Sequence, residues 1–137
     1  MKVDFKKILT ILCLFFAMSL STMGAEMPQW DKVINAIIEV ESEGKSNARN
    51  GSCVGAMQIS PVCVAECNKI LKESKSKLRY TLSDRFNVEK SKEMFLLFQS
   101  KYNPEGNIEK AIRSWNGGPK YSKRSTERYY RKVIAKM

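Results

Sequence analysis

Apolar residues recur at helical spacing along most of the chain. Trp30, Val33, Ile34, Ile37 and Ile38 fall on one face of a helix at about 100° per residue. The spacing predicts a first helix from about Pro28 to Glu43, stopped by Gly44. Position 41 lies within about 60° of Ile34, Ile37 and Ile38 on that wheel, so Glu41 continues the apolar stripe, whereas Glu39 and Glu43 lie roughly 160° from it. A polar loop follows, Lys45 to Cys53, rich in Asn, Ser and Gly. The segment Val54-Gly-Ala-Met-Gln-Ile59 is too brief to be a helix on its own. Ser60-Pro61 marks the next helix start, with serine as cap and proline in the first turn, and Val62, Ala65, Ile70 and Leu71 as its apolar positions. Lys72 to Tyr80 reads as a charged connection. Thr81 to Asp84 prepares a helix through Met94, Phe95, Leu97, Phe98 and Tyr102 that ends before Asn103-Pro104. Asn107 caps a short helix, Ile108 to Trp115, and Asn116-Gly117-Gly118-Pro119 breaks the chain. A last helix, roughly Ser125 to Lys136, carries Tyr129, Tyr130, Val133 and Ile134 on one face. No period-two stretch stands out as a strand. Five short helices joined by loops predict a compact, mainly α domain.

The first 24 residues stand apart from this pattern. Lys2, Lys6 and Lys7 precede an uncharged apolar run from Ile8 to Leu20, and the small residues Thr22, Gly24 and Ala25 follow. This is the layout of a secretory signal peptide, with a retained membrane anchor as the alternative. Cys13 does not make a lipoprotein site, because Leu12 stands where a small residue is required before it. The domain itself is then residues 25–137, enough for one modest core, in an exported, periplasmic or extracellular, location.

Charge narrows the partners. Residues 1–24 hold three lysines and one aspartate, so the formal charge of the remainder is +8 rather than +10. A basic surface suits an acidic polymer or an anionic surface. Export argues against nucleic acid and for a cell-envelope polymer. Peptidoglycan, with carboxylates on its peptide stems, fits. The chain has no histidine, which excludes Ser-His-Asp and Cys-His mechanisms and the usual zinc sites. No metal and no cofactor are expected. Cys53, Cys63 and Cys67 remain in the domain; pairing of Cys53 with either of the others is easier than Cys63 with Cys67, which sit four apart on one helix.

With so little else to build on, Glu41 becomes the candidate for chemistry. A carboxylate leaning into an apolar wall loses hydration, so its pKa should rise. A carboxylic acid held protonated near neutral pH is what a general acid requires. Gly44 equally fits a frayed helix end with Glu41 turned to water, and the helical pattern alone leaves both readings open.

Three further segments matter. Gly55-Ala56-Met57-Gln58-Ile59 combines a glycine, which lets backbone approach a ligand, with a glutamine that can donate to and accept from sugars. Ser114-Trp115-Asn116-Gly117-Gly118 sets a ring beside an amide on a turn. Tyr129-Tyr130 supplies phenols, which are either core aromatics or partners of the acid. Taken in order, Glu41-Ser42, Gly55 to Ile59, Trp115 to Gly118 and Tyr129 resemble the Glu-Ser, Gly-Leu-Met-Gln, Ala-Tyr-Asn and C-terminal tyrosine signatures of the soluble lytic transglycosylase catalytic domain. Asn47-Ala48 and Pro61 also fall in place, and the resemblance covers residues 30–137. Ala56 stands for the usual leucine and Trp115 for the usual tyrosine. Gly44 and Ser46 replace an aromatic and a proline, which bears on groove shape and substrate preference.

The resemblance implies a lysozyme-like helical fold with a peptidoglycan groove. It implies cleavage of the β-1,4 bond between N-acetylmuramic acid and N-acetylglucosamine, with closure of a 1,6-anhydro ring. Glu41 would be the single acid and base and Ser42 would support it. Gly55, Met57 and Gln58 would line the sugar site, with Trp115 and Asn116 beside them, and Tyr129 would orient the acid or the sugar. It also fits small wall-opening enzymes of secretion, conjugation or phage machines, acting as monomers. Two rivals remain. A hydrolytic muramidase needs a second carboxylate near Glu41, and Asp84 is the residue the sequence offers. A non-catalytic peptidoglycan-binding module would need no acid.

Overall fold

The computed structural model describes residues 27–137. The leader expected over residues 1–24, and Cys13 within it, lie outside the described residues. Helix α1 spans Met27–Ser42. Its opening turns, to Lys32, belong to an N-terminal unit, and everything from Val33 to Met137 forms a second unit, which carries all that follows.

The second unit is mainly α, as the pattern predicts. From Val33 onward α1 buries Val33, Ile34, Ala36 and Ile37 completely or nearly so. It ends because Glu43 and Gly44 turn to positive φ, +53° and +80°, a conformation that terminates helices. A hairpin too short to leave a period-two signature follows: β1, Arg49–Asn50, pairs antiparallel with β2, Cys53–Val54. The chain then folds back so that Val54 and Ile59 exchange backbone bonds of 3.2 and 2.9 Å. This bridge turns Met57 and Ile59 into the core, both at most 1% exposed.

Helix α2, Pro61–Glu73, begins as expected, with the Ser60 side chain accepting from the Cys63 amide. Its buried face differs from the expected one. Val64, Cys67, Ile70 and Leu71 point inward, while Val62 is 76% exposed and Ala65 is also on the surface. Val62 turns outward in the first turn, and the buried stripe begins two residues later at Val64.

Thr81 and Asp84 do not open the long helix. They cap a separate 3-10 helix, Leu82–Phe86, in which the Asp84 carboxylate accepts from the Thr81 amide at 2.6 Å. Asn87 then caps α3, Val88–Tyr102. The 3-10 helix is tied down by Arg85, whose buried guanidinium donates to the carbonyls of Leu82, Ser52 and Ile59. Helix α4 spans Ile108–Gly117, two residues beyond the expected end at Trp115. The break comes at Gly118, φ +76°. Gly117 stays helical because it is packed: a Cβ there would lie 2.8 Å from both Thr126 and Tyr121.

Helix α5, Lys123–Ile134, lies against α4. Arg113, 4% exposed, fastens the two: it donates to Glu109, Glu127, Thr126 and the Lys123 carbonyl and stacks 4.2 Å from the Tyr130 ring centre. Of the expected α5 face, Val133 is fully buried, Tyr129 and Tyr130 are half-buried, and Ile134 is 42% exposed. Among the described residues no helix is long and apolar enough to cross a membrane.

Candidate active site

Glu41 sits in the last turn of α1, half-buried, and does not fray to water. Its Oε1 accepts a hydrogen bond of 2.7 Å from the Tyr129 hydroxyl, on α5, 88 residues away. Two opposing effects act on the carboxyl. Burial raises its pKa and is the larger; the Tyr129 bond, which favours the charged form, lowers it; the net shift is upward from 4.5. Burial, and then the charge of Glu41, raise the Tyr129 pKa in turn, so the phenol stays an O–H donor.

Glu41 opens onto a cleft of about 580 Å³. Three kinds of wall surround it. Aromatic rings come from Trp115, Phe98 and Tyr102; side-chain amides from Asn50, Gln58 and Asn116; and α2 contributes Val62, Cys63 and Glu66. The Trp115 indole is held in place, its N–H donating to the Met57 carbonyl at 3.2 Å. The ring stands edge-on to Phe95 and Phe98, with centres 5.1 and 6.2 Å apart. A ring so braced can cover the apolar face of a sugar.

Gln58 is the most unusual residue of the cleft. Its φ is +50°, a conformation non-glycine residues adopt at a cost and keep where surrounding structure enforces it. Its Nε2 donates to the Gly55 carbonyl at 2.9 Å, while its Oε1 is shielded from water with no partner in the protein.

The other residues singled out from the sequence are placed differently. Ser42 does not touch Glu41: its hydroxyl bonds the Ile38 carbonyl at 3.2 Å and the Ala56 carbonyl at 2.8 Å, tying α1 to the 55–59 loop. Met57 does not line the cleft. It is fully buried, because the Val54–Ile59 pairing turns it inward, and it contributes only the carbonyl that holds Trp115. Gly55 is buried as well and abuts the 3-10 helix rather than the cleft. Asn116 and Gln58 do face the cleft, and Tyr129 stands behind Glu41. Asp84 is taken up in its cap and is not part of the cleft wall.

Three features escaped the sequence reading. Glu66 is a second carboxylate in the cleft wall, bonded by the Tyr102 hydroxyl. Arg85 and Arg113 are buried cations that hold the 55–59 loop and α5. A Glu109–Arg113 spacing of four was the one visible hint of the latter. The cysteines Cys53, Cys63 and Cys67 are all free thiols. Cys67 is buried, its sulfur 3.5 Å from the Met94 carbonyl oxygen. A hydrogen bond from Cys67 holds the Cys63 thiol below its usual range against the effect of burial. Among the described residues no group of His, Cys, Asp and Glu is placed to hold a metal ion.

The family model for the transglycosylase SLT domain matches residues 21–137. The chain therefore belongs to that family, and its mainly helical architecture is the lysozyme-like one expected of it. No curated protein and no solved structure matches the chain.

Proposed function

We propose that this SLT-family domain is an exported lytic transglycosylase that cuts peptidoglycan strands between N-acetylmuramic acid and N-acetylglucosamine. The observation that carries the reading is Glu41: a carboxyl whose pKa is raised by burial, bonded by Tyr129, at the wall of a cleft of sugar-binding character. In the first step the protonated Glu41 gives its proton to the bridging oxygen as the glycosidic bond breaks. In the second, the Glu41 carboxylate takes the proton of the muramic acid C6 hydroxyl as that oxygen bonds C1, closing the 1,6-anhydro ring. Each turnover returns Glu41 to its starting state, so one residue serves both steps. Trp115 would cover a sugar face, while the Gln58 and Asn116 side chains, which line the cleft, would meet hydroxyl or acetamido groups.

Product mass tests the reaction. Digests of purified sacculi are expected to contain anhydro-muropeptides, 18 mass units below their hydrated counterparts because one water is missing. Reducing, hydrated products alone would replace this reading by hydrolysis. The presence of Glu66 in the same cleft is what keeps hydrolysis as a second reading, since hydrolases use two carboxyl groups.

The pH profile follows from the same geometry. The first step needs Glu41 protonated, so kcat/KM is expected to fall as pH rises through a pKa above the ordinary 4.5. The Tyr129 bond lowers that pKa, so Tyr129→Phe should move this alkaline limb to higher pH. An unmoved limb in the variant would detach Tyr129 from the acid.

A further inference from the structure

The cleft inverts the charge of the molecule. The chain holds 24 lysines and arginines against 14 acids. Yet among the described residues no lysine or arginine lines the cleft, while two carboxyl groups, Glu41 and Glu66, do. A basic protein with a random cleft wall would set cations there in excess. Glu41 is taken up with Tyr129, which leaves Glu66 as the carboxyl group of the cleft open to another partner.

Glu66 is also posed. It projects from α2, with 26% of its side chain exposed. Its Oε1 accepts from the Tyr102 hydroxyl of α3, a phenol whose pKa is pushed up to about 12, first by that bond, so it remains a donor. Phe98 packs against Tyr102 with ring centres 4.8 Å apart, so two aromatic rings flank the carboxylate in the cleft wall. The nearest cation, Lys69, stands 4.0 Å from the same Oε1 with 64% of its side chain exposed, a pairing of little strength. Oε2 is left for another donor. A fixed carboxylate beside aromatic rings, with no competing cation in the cleft, has the composition of a site for an organic ammonium.

We infer that Glu66 is a specificity-determining residue that receives a primary ammonium carried by the substrate. On the reading of the cleft as a peptidoglycan site, on which this inference rests, that group is the free side-chain amine of a diamino acid in the peptide stem. The carboxylates of the same stem are repelled there. The domain would thus favour strands whose stems are not cross-linked through that amine.

The experiment compares digestion of uncross-linked glycan strands in three forms: native, with the stem amine acetylated, and with it reductively dimethylated so that the charge is kept. Acetylation is expected to raise KM of the wild type about three- to tenfold with kcat little changed, and dimethylation to leave KM nearly unaltered. Glu66→Gln, which can still accept from Tyr102, should show the raised KM on all three substrates and no longer distinguish them. Equal KM on native and acetylated strands, or a Glu66→Gln variant that still discriminates, overturns the inference and leaves the proposed reaction standing. A loss in kcat alone for Glu66→Gln also overturns it, and points to a hydrolytic partner for Glu41. Should the wild type cleave none of the strands, calorimetry with the free stem peptide decides. Binding that acetylation abolishes supports Glu66 while the reaction falls, and no binding overturns both.

Discussion

Glu41→Gln is expected to abolish clearing of peptidoglycan, with a loss in kcat of about 10²–10⁴-fold, while the protein folds and becomes more stable at neutral pH. The two halves of this expectation have one cause. Burial gives the Glu41 carboxyl a higher pKa in the folded chain than in the unfolded one. Between those two values the folded state binds more protons, so stability falls as pH rises through that window. Above it the folded protein holds a carboxylate in a place that disfavours charge. Glutamine keeps the shape and can still accept from Tyr129, but it carries no charge. Thermal melts should therefore place the variant above the wild type at pH 7–8, with the gap closing as pH falls toward 4.5. A variant that keeps wild-type activity would remove Glu41 from the chemistry. One that is inactive but less stable at neutral pH would mean that Glu41 is held for structure.

Gly55→Ala is expected to be the most damaging single substitution in the loop that carries Gln58. Gly55 has φ +84°, and a Cβ there would fall 1.8 Å from the Arg85 carbonyl oxygen and 2.9 Å from its carbon. Both are backbone atoms, and Arg85 is pinned by its own bonds to Ser52 and Ile59, so neither side can yield cheaply. The left-handed backbone costs about 1–2 kcal/mol for alanine, and overpacking adds about 1–3 kcal/mol, for a loss of roughly 2–5 kcal/mol. Gly51→Ala is the matched control. It shares the positive φ, +58°, but has nothing within 4 Å of the added atom, so only the backbone part should appear. Denaturant titration of both variants separates the two contributions, and equal losses would show that the approach to Arg85 carries no penalty.

How far the fold could be read in advance depended on how local each determinant is. The α1 stripe, the Ser60 and Asn107 caps and the end of α3 before Asn103 depend on neighbours in sequence, and all appear where the pattern put them. Glu41 was legible for the same reason, since its place on the wheel is a property of α1 alone. Its partner was not: Tyr129 read equally as a core ring, because nothing local brings α5 to α1. The family resemblance put Met57 in the cleft beside Gln58. A single backbone pairing, Val54 with Ile59, sends it the other way. The Asn116-Gly117 turn signal was overridden by the packing of Gly117 on α5. Glu66 and Tyr102 are 36 residues apart and each sits on a helix where a solvated face is the ordinary expectation, so their meeting had no trace in the sequence. Arg85 and Arg113 escaped because their burial is purchased by carbonyls and carboxylates from other elements.

The bond from Tyr129 to Glu41 closes a loop of 88 residues, and it draws on the last helix of the domain. Closing so long a loop is an entropic burden carried late, after the local turns and caps have formed. Until α5 docks, Glu41 lacks the phenol that bonds its Oε1. A chain stopped short of Tyr129 never acquires that partner. The carboxyl of the first helix and its phenol partner on the last thus come together only once the final helix is in place.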